Sequence, residues 1–195
     1  MSKLPIATIK MTDGREIKLA LYPAKAPITV ANFIDLANNQ KFYDNVSEKR
    51  HIIFHRIAPG FMIQAGDITA SGAGQSGFAI KGEFKENNVE TNDISFVPGV
   101  IGMARSGSYD SASTQFFITV GTPTHLDGQY AAFGRVISGM DVVQAIANIP
   151  TGHNPNIPGD KDYEFPLEEQ RIASIRVDTK GVDFTAPPRL NVPIA

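Results

Sequence analysis

The sequence contains neither cysteine nor tryptophan among its 195 residues. Without cysteine, the chain can form no disulfide bond, no thiolate metal site and no cysteine nucleophile. The formal net charge is only −2 at pH 7, which gives no reason to expect nucleic acid or an anionic membrane as a partner. Residues 1–19 carry Lys3, Lys10 and Asp13 and contain no long apolar run. We therefore expect neither a signal peptide nor a spanning helix, and we predict a cytoplasmic protein.

Two enzyme signatures are also missing. No serine lies in a GxSxG pattern, so a hydrolase of the nucleophile-elbow type has no support. The segment Gly72–Gly77 has the GxGxxG spacing of dinucleotide-binding proteins, but the residues that follow it are FAIKGEF. These are strand-type residues at a place where the phosphates would need a helix N-terminus. We interpret the segment as a surface loop.

Potential metal ligands lack the partners that a metal site requires. His51 and His55 have HxxxH spacing, but no glutamate follows His51 as in metalloproteases, and no third ligand stands out. The acidic run Asp160–Glu164 imitates the start of a calcium loop, whose sixth and twelfth places need glycine and glutamate. Those places hold Phe165 and Arg171. We therefore expect no metal and no cofactor.

Two regular patterns open the chain. Apolar residues alternate with polar or small ones on both sides of Asp13-Gly14, which predicts a β-hairpin over about residues 7–21. The apolar spacing then changes to i, i+3, i+4 and i+7. This change predicts an amphipathic helix from Pro27 to about Asn38, on the spacing of Val30, Phe33, Ile34 and Ala37.

The rest of the chain is typical of short strands separated by turns that contain glycine or proline. We predict a second helix at Met140–Ala147, a turn-rich loop at residues 150–166, and strands at about residues 51–57, 61–66, 94–97, 100–104, 115–120, 130–137 and 171–178. Many strands with only two helices predict a mainly β fold, in which an antiparallel sheet closes into a barrel and the helices cover its ends. We expect one domain, residues 1–180, and a loosely held Pro-rich C-terminal tail, residues 181–195.

Residues 54–64, FHRIAPGFMIQ, place two polar side chains in an apolar hairpin. Arg56 and Gln64 should lie on neighbouring strands that a tight turn brings side by side. The same alternation puts Gln115 and Phe117 on one face of QFFITV. Polar groups would then converge above an apolar floor. A surface arginine that covers apolar neighbours is the alternative, and periodicity alone does not separate the two.

Three segments resemble the signature segments of the cyclophilin family of peptidyl-prolyl cis–trans isomerases: FHRIAPGFMIQAGD, GVIGMARSGSYDSASTQFFIT and HLDGQYAAFGRV. They occur in order and at suitable separations, and the resemblance covers roughly residues 4–178. It implies a closed eight-stranded antiparallel β-barrel capped by two α-helices, with the active surface outside the barrel. The residues that match the cyclophilin active surface are Arg56, Phe61, Met62, Gln64, Ala104, Gln115, Phe117 and Leu126.

The resemblance implies an enzyme that isomerises X–Pro bonds in proline-containing peptides and unfolded proteins, and so assists folding. No bond is cleaved, so no nucleophile is needed. Arg56 would donate a hydrogen bond to the proline nitrogen in the twisted transition state, and Gln64 would position Arg56. An apolar pocket would hold the proline ring, while the backbone of Ala104, Arg105 and Ser106 would pair with the substrate chain.

Three positions depart from the common family pattern. His125 stands where many cyclophilins have a tryptophan that contributes to cyclosporin binding, so we predict weak or no cyclosporin binding, which a titration checks. Tyr130 replaces a histidine and keeps an aromatic rim. Arg105 replaces an asparagine, and its charge predicts a preference for acidic residues beside the proline, which a peptide library checks. The 150–166 loop and the tail resemble bacterial cytoplasmic members, and we expect a monomer.

Two other functions remain open at this point. A proline-peptide binding or chaperone module with incidental turnover would need the apolar pocket but no donor aimed at the proline nitrogen, so Arg56 favours the isomerase. A barrel that holds an unrelated small ligand would need a roomy interior. Bulky residues expected inside, such as Phe116 and Ile118, argue against it.

Overall fold

The computed structural model describes residues 3–42, 52–67, 69–72 and 77–191. The strands are β1 (Ile6–Met11), β2 (Glu16–Leu21), β3 (Arg56–Ala58), β4 (Met62–Ala65), β5 (Phe78–Ala79), β6 (Val100–Met103), β7 (Phe116–Thr119), β8 (Ala132–Ser138), β9 (Thr151–Gly152), β10 (Phe165–Pro166), β11 (Ile172–Asp178) and β12 (Leu190–Asn191). The α-helices are α1 (Pro27–Asn38) and α2 (Met140–Ala147), and short 3₁₀ helices occur at Lys85–Asn87 and Thr124–Leu126.

Eight of these strands form one antiparallel sheet in the order β11-β1-β2-β8-β6-β7-β4-β3. The sheet is an open, strongly curled half-barrel, so the predicted closed barrel is wrong. Within the described residues, the end strands β3 and β11 form no ladder, and a single isolated bridge joins Ile53 to Arg171. Two hydrogen bonds close this bridge, from the N–H of Phe54 to Gln170 and from the N–H of Ile172 to Ile52. Strand β3 has only three residues, and the N–H of its central residue, Ile57, already donates to the carbonyl of Glu164 at 2.7 Å. That N–H is therefore not available to β11.

Alternation along the strands gives the sheet two apolar faces. The inner cluster is the hydrophobic core, in which buried residues of the sheet pack against both helices; it includes Phe33, Phe116, Ile118, Phe133 and Val143. The outer cluster is smaller and consists of Ala58, Met62, Phe96, Val100, Phe117, Leu126 and Ala132. Sequence neighbours such as Phe116 and Phe117 therefore belong to different clusters.

The predicted hairpin and both predicted helices are confirmed. Helix α1 begins at Pro27, where proline is favoured because the first N–H groups have no partner within the helix. The N–H groups of Ile28 and Thr29 instead donate to the buried carboxylate of Glu83, at 3.0 and 2.7 Å. Glu83 thus caps the helix from a distant part of the sequence. Among the helices that the structure describes, none has both the length and the apolar character needed to span a lipid bilayer.

The predicted strands differ from the structure in three respects. Residues 94–97 are irregular, because the N–H of Phe96 donates to the carboxylate of Asp127 at 2.7 Å instead of to a neighbouring strand; that prediction is wrong. The strand expected at 51–57 is shortened to Arg56–Ala58, and residue 51 lies outside the described residues. The two-residue strands β5, β9, β10 and β12 are not anticipated by the sequence patterns.

The C-terminal segment lies against the domain over the part that the structure describes, residues 181–191, so the expectation of a loosely held tail is wrong there. Strand β12 pairs with β5. Arg189 donates to Asp35 at 2.8 Å, and its guanidinium lies 3.9 Å from the ring centroid of Phe78. Residues 192–195 lie outside the described part.

Candidate active site

A pocket of about 160 Å³ opens on the outer face of the sheet. Strands β3, β4 and β7 and the loops beside them form its wall. Nine residues line it: Arg56, Phe61, Met62, Gln64, Ala104, Arg105, Phe117, Leu126 and Tyr130. All nine belong to the set of site residues predicted from the sequence.

Strand register brings distant parts of the sequence together in this pocket. Arg56 on β3 lies opposite Gln64 on β4, and Gln64 lies opposite Phe117 on β7. The turn between β3 and β4 is closed by a 3.0 Å hydrogen bond from the N–H of Phe61 to the carbonyl of Ala58. Because directly paired residues of antiparallel strands face the same side of a sheet, the three side chains share the outer face.

The floor of the pocket is apolar and rigidly packed. Met62, Phe117 and Leu126 are buried. The ring of Phe117 stacks on Phe96, with centroids 5.4 Å apart and an interplanar angle of 29°, and meets Tyr130 edge to face at 5.9 Å and 86°. Such aromatic pairs hold one another in place beyond their simple area burial.

The polar wall of the pocket is a chain of hydrogen bonds centred on Arg56. Its Nε donates to Oε2 of Glu164 within an ion pair, and its Nη1 makes a long 3.5 Å hydrogen bond to Oε1 of Gln64. Nε2 of Gln64 donates to Gln115 at 2.8 Å, and Nε2 of Gln115 donates to the carbonyl of Gly72 at 3.0 Å. This series of hydrogen bonds fixes the guanidinium. The Arg56 side chain is nevertheless 43% exposed and lies within reach of a bound molecule.

The second cation of the pocket, Arg105, is surrounded by aromatic rings. Its guanidinium carbon lies 4.5 Å from the ring centroid of Tyr130, 5.1 Å from that of Tyr109 and 5.2 Å from that of Phe84. Its Nε donates to the carbonyl of Gln129 at 3.0 Å. Cation–π contacts and this hydrogen bond hold the charge at the edge of the pocket.

Three predicted site residues are near the pocket without lining it. Gln115 lies behind Gln64, to which it is hydrogen-bonded. The N–H of Ser106 donates to Oγ of Ser111 at 3.0 Å, so this group is already used within the protein. The exposed ring of His125 lies 5.7 Å from the ring of Phe61, at the rim.

Sequence reasoning missed the ion-pair partner of Arg56. In the sequence, Glu164 is recognisable only as part of the acidic run that resembles a calcium loop. It lies 108 positions from Arg56 in the chain. No spacing rule connects residues so far apart. The contact depends on how residues 151–166 lie along β3, which only the folded structure reveals.

The motifs set aside in the sequence do not assemble into a metal or nucleotide site within the described residues. Burial lowers the pKa of His55, although the carboxylate of Asp67 opposes this, so the imidazole is neutral at pH 7; His51 lies outside the described residues. Asp160 accepts the backbone N–H of Asn154 at 2.6 Å. The GxGxxG segment lies partly outside the described residues and leads into strand β5 rather than a helix. Within the described ranges, no group of three or more histidine, aspartate or glutamate side chains could hold a metal ion.

The pocket can hold a compact apolar ring and offer it a cationic hydrogen-bond donor. Its nine lining residues include no serine, cysteine, aspartate or glutamate, so it lacks the side chains that most often serve as nucleophiles. Binding and electrostatic stabilisation are therefore the chemistry that this arrangement favours.

Comparison with known proteins agrees with this geometry. The family model "Cyclophilin type peptidyl-prolyl cis-trans isomerase/CLD" matches residues 6–177. The chain is 39% identical over 138 residues to peptidyl-prolyl cis-trans isomerase B of Bacillus subtilis. The aligned region covers 71% of this chain and 87% of that protein. It is 37% identical over 170 residues to peptidyl-prolyl cis-trans isomerase-like 1 of Emericella nidulans, which covers 87% of this chain and 93% of that protein.

Solved structures show the same fold. A cyclophilin-type isomerase of Cryptosporidium parvum superimposes with a TM-score of 0.72 at 24% identity, over 90% of this chain and 98% of that one. A second structure of that protein, obtained in the presence of the dipeptide Ala-Pro, gives a TM-score of 0.70. Motifs, fold and relatives lead to one conclusion: the chain belongs to the cyclophilin family of peptidyl-prolyl cis–trans isomerases.

Proposed function

We propose that the outer pocket is the active site of this isomerase, with Arg56 as the catalytic donor and Gln64 as its catalytic partner. The observation that carries the proposal is a guanidinium held at the rim of an apolar pocket. Two of its nitrogens, Nε and Nη1, are bonded to Glu164 and Gln64. Among the residues that the structure describes, its third nitrogen, Nη2, has no hydrogen-bond partner. Its N–H groups are available to substrate.

The chemistry of prolyl rotation explains why a lone donor suffices. Rotation about the X–Pro bond has a barrier of ~18–20 kcal/mol because amide resonance is lost on the way. In the twisted state the proline nitrogen becomes pyramidal and its lone pair can accept a hydrogen bond, which it cannot do in the planar ground state. A donor at this nitrogen therefore stabilises the transition state selectively. A 10⁵-fold acceleration requires about 7 kcal/mol, to which a charge-assisted hydrogen bond and orientation in the pocket both contribute.

The other pocket residues hold the substrate. Phe61, Met62, Phe117 and Leu126 grip the proline ring, so that the carbonyl of the preceding residue is the part that rotates. Tyr130 and His125 form an aromatic rim. The backbone of Ala104–Ser106 pairs with the substrate chain through groups other than the N–H of Ser106, and Gln115 supports Gln64. Contacts with a ring and a backbone favour broad substrate choice.

The proposed partners are proline-containing peptides and unfolded proteins, with folding assistance as the consequence. The fold is shared with the C. parvum isomerase that was crystallised in the presence of Ala-Pro, which supports this choice. Cytoplasmic location, a monomeric state and the bacterial subtype stay predictions. The B. subtilis relative supports the subtype, but the fungal relative is about equally similar. Weak cyclosporin binding, based on His125, and an acidic preference, based on Arg105, also stay predictions.

The test is cis–trans exchange of a short Xaa-Pro peptide, measured by NMR with native protein and variants. We expect Arg56→Ala to lower kcat/KM about 100-fold, the scale seen when one transition-state donor is removed, while peptide affinity changes little. Arg171→Ala is the matched control. Arg171 is also a half-exposed arginine with a glutamate partner, Glu169, but it does not line the pocket, and its removal should leave kcat/KM unchanged.

Two results would contradict the proposal. Equal exchange rates with native protein and Arg56→Ala would remove Arg56 from the mechanism. Peptide binding without acceleration by the native protein would indicate a proline-peptide binding module instead.

A further inference from the structure

The ion pair between Arg56 and Glu164 joins the pocket to a loop that has no part in lining it. Glu164 precedes β10, and β10 pairs with β9 to form a small two-stranded sheet within residues 151–166. The carboxylate of Glu164 is 25% exposed and contacts Arg56 at Nε. The terminal nitrogen Nη1, by contrast, contacts Gln64.

The backbone holds Glu164 in place independently of its side chain. Its carbonyl accepts the N–H of Ile57 at 2.7 Å, the residue that follows Arg56 on β3. Farther along the loop, Nδ2 of Asn154 donates to the carbonyl of Ala70 at 2.8 Å. The loop is therefore attached to β3 by a main-chain hydrogen bond and to the segment around Ala70 by the Asn154 side chain, and neither contact uses the Glu164 side chain.

The ion pair is a weak source of stability but a strong geometric constraint. Partly exposed ion pairs contribute little to folding stability. The hydrogen bond from Arg56 to Gln64 is long, 3.5 Å, and would fix the guanidinium poorly without a second anchor. A charge-assisted bond at Nε orients the plane of the guanidinium, and small displacements of a catalytic group cost a large part of its effect.

We propose that Glu164 is a positioning residue for prolyl isomerisation: it holds Nε of Arg56 so that the terminal nitrogens face the pocket. The loop at residues 151–166 thereby contributes to catalysis although it does not line the proline pocket. This inference rests on the proposed catalytic role of Arg56.

The experiment compares Glu164→Gln and Glu164→Ala with native protein in the peptide exchange assay. We expect kcat to fall about 10-fold in Glu164→Ala and less in Glu164→Gln, because a glutamine oxygen still accepts a hydrogen bond without the charge. KM should change less than about 2-fold, because the proline pocket is intact. The Nε–H signal of Arg56 in ¹H–¹⁵N spectra, identified by its absence in Arg56→Lys, should shift and exchange faster with water in both variants.

Two further variants separate positioning from general effects. Glu169→Gln removes another carboxylate that is paired with an arginine, Arg171, and should leave kcat unchanged. In the double variant Arg56→Ala/Glu164→Gln, the second change should have no effect beyond the first, because residues that act through one another are not additive.

The outcomes distinguish the two proposals. If Arg56→Ala retains native activity, the proposed role of Arg56 fails. If Arg56→Ala is impaired but Glu164→Ala has native or higher kcat, the positioning role fails. A Glu164→Gln loss that is equally large in the Arg56→Ala background also overturns it, because Glu164 would then act by another route.

Discussion

Gly102 on β6 shows how a single residue shapes the pocket floor. A Cβ at this position would lie 2.7 Å from Cζ of Phe117 and 2.8 Å from Cε1 of Phe96. Real Cβ contacts are almost never so short, so a side chain here must displace the stacked rings. The absence of a side chain at Gly102 thus allows Phe117 to lie flat beneath the proline site.

We therefore expect Gly102→Ala to lower kcat/KM about 10-fold and to destabilise the fold by about 1–3 kcal/mol, the usual cost of overpacking. Peptide exchange and urea unfolding measure the two effects. Gly107→Ala serves as the control, because a Cβ there would meet nothing within 4 Å. Native kcat/KM in Gly102→Ala would show that the rings adjust without loss.

At this scale the sequence predicted individual pocket residues well and their partners poorly. Alternation in FMIQ and QFFITV correctly put Gln64 and Phe117 on one face, because the period of a strand is local information. The same alternation would place Arg56 with Phe54, but Phe54 is buried in the inner cluster while Arg56 lines the outer pocket. The pairing of Arg56 with Glu164 and the aromatic surroundings of Arg105 were not predicted. Both depend on loops whose path is set by tertiary contacts.

At the scale of single elements, helix α1 begins where its own sequence indicates, at Pro27. The side chain that caps it comes from a distant part of the sequence. The residue before the helix, Ala26, makes no side-chain capping bond. Glu83 supplies the acceptor instead, taking hydrogen bonds from two backbone N–H groups and from the Thr29 hydroxyl at 2.7 Å. A buried carboxylate at a helix N-terminus is favoured by the helix dipole as well as by these bonds.

We expect Glu83→Gln to lower the free energy of unfolding by about 1–3 kcal/mol, the range for hydrogen bonds to a charged group. Urea unfolding measures it, and Glu90→Gln at an exposed position nearby should stay within about 0.5 kcal/mol of native. Equal losses in the two variants would show that net charge, rather than capping, is responsible.

Helices and strands were predictable where the regular spacing of apolar residues continued over several repeats, as in the first hairpin and both helices. It was not predictable for the two-residue strands, which are too short to show a period. The sequence of residues 94–97 resembles a strand because it contains an apolar residue, Phe96, that is buried in the outer cluster. Burial alone does not make a strand, since its backbone bonds to the Asp127 side chain.

At the scale of the whole molecule, Asp35 links the helix layer to the C-terminal segment. Its side chain is only 6% exposed and accepts hydrogen bonds from Lys41, Asn39 and Arg189. Burial alone would raise the pKa of Asp35, but the hydrogen bonds and charges around it outweigh burial and hold the pKa below its usual 3.8. A carboxyl group whose pKa is lower in the folded state stabilises the fold when it is ionised.

We expect Asp35→Asn to lower the free energy of unfolding by about 1–3 kcal/mol at pH 7. The contribution of ionised Asp35 is fully present above its unfolded-state pKa, near 3.8, and is lost as the pH falls through the lower folded-state value. The difference between native and variant should therefore shrink at pH 3 and below. Unfolding at several pH values measures it.

Asp93 provides the control for this prediction. It also pairs with a lysine, Lys25, but its side chain is 71% exposed, so Asp93→Asn should lower the free energy of unfolding much less than Asp35→Asn does. A native-to-Asp35→Asn difference that is independent of pH would contradict the assigned role of the charge.

The open edge of the sheet was the global feature that the sequence predicted wrongly, since the patterns and the resemblance indicated a closed barrel. The count of strands and the antiparallel arrangement followed from local patterns and from the family resemblance. Whether the end strands meet depends on the short length of β3 and on Glu164, whose carbonyl occupies the N–H of Ile57. Neither feature is visible in the pattern of a single strand.

The division of the sheet into inner and outer clusters has a consequence for evolutionary divergence. The inner cluster and the outer cluster that forms the pocket floor lie on opposite faces of the same strands. The rim positions Arg105, His125 and Tyr130 are not members of the inner cluster. Substitutions at the rim can therefore accumulate during divergence, one at a time, with little disturbance to the packing of the inner cluster.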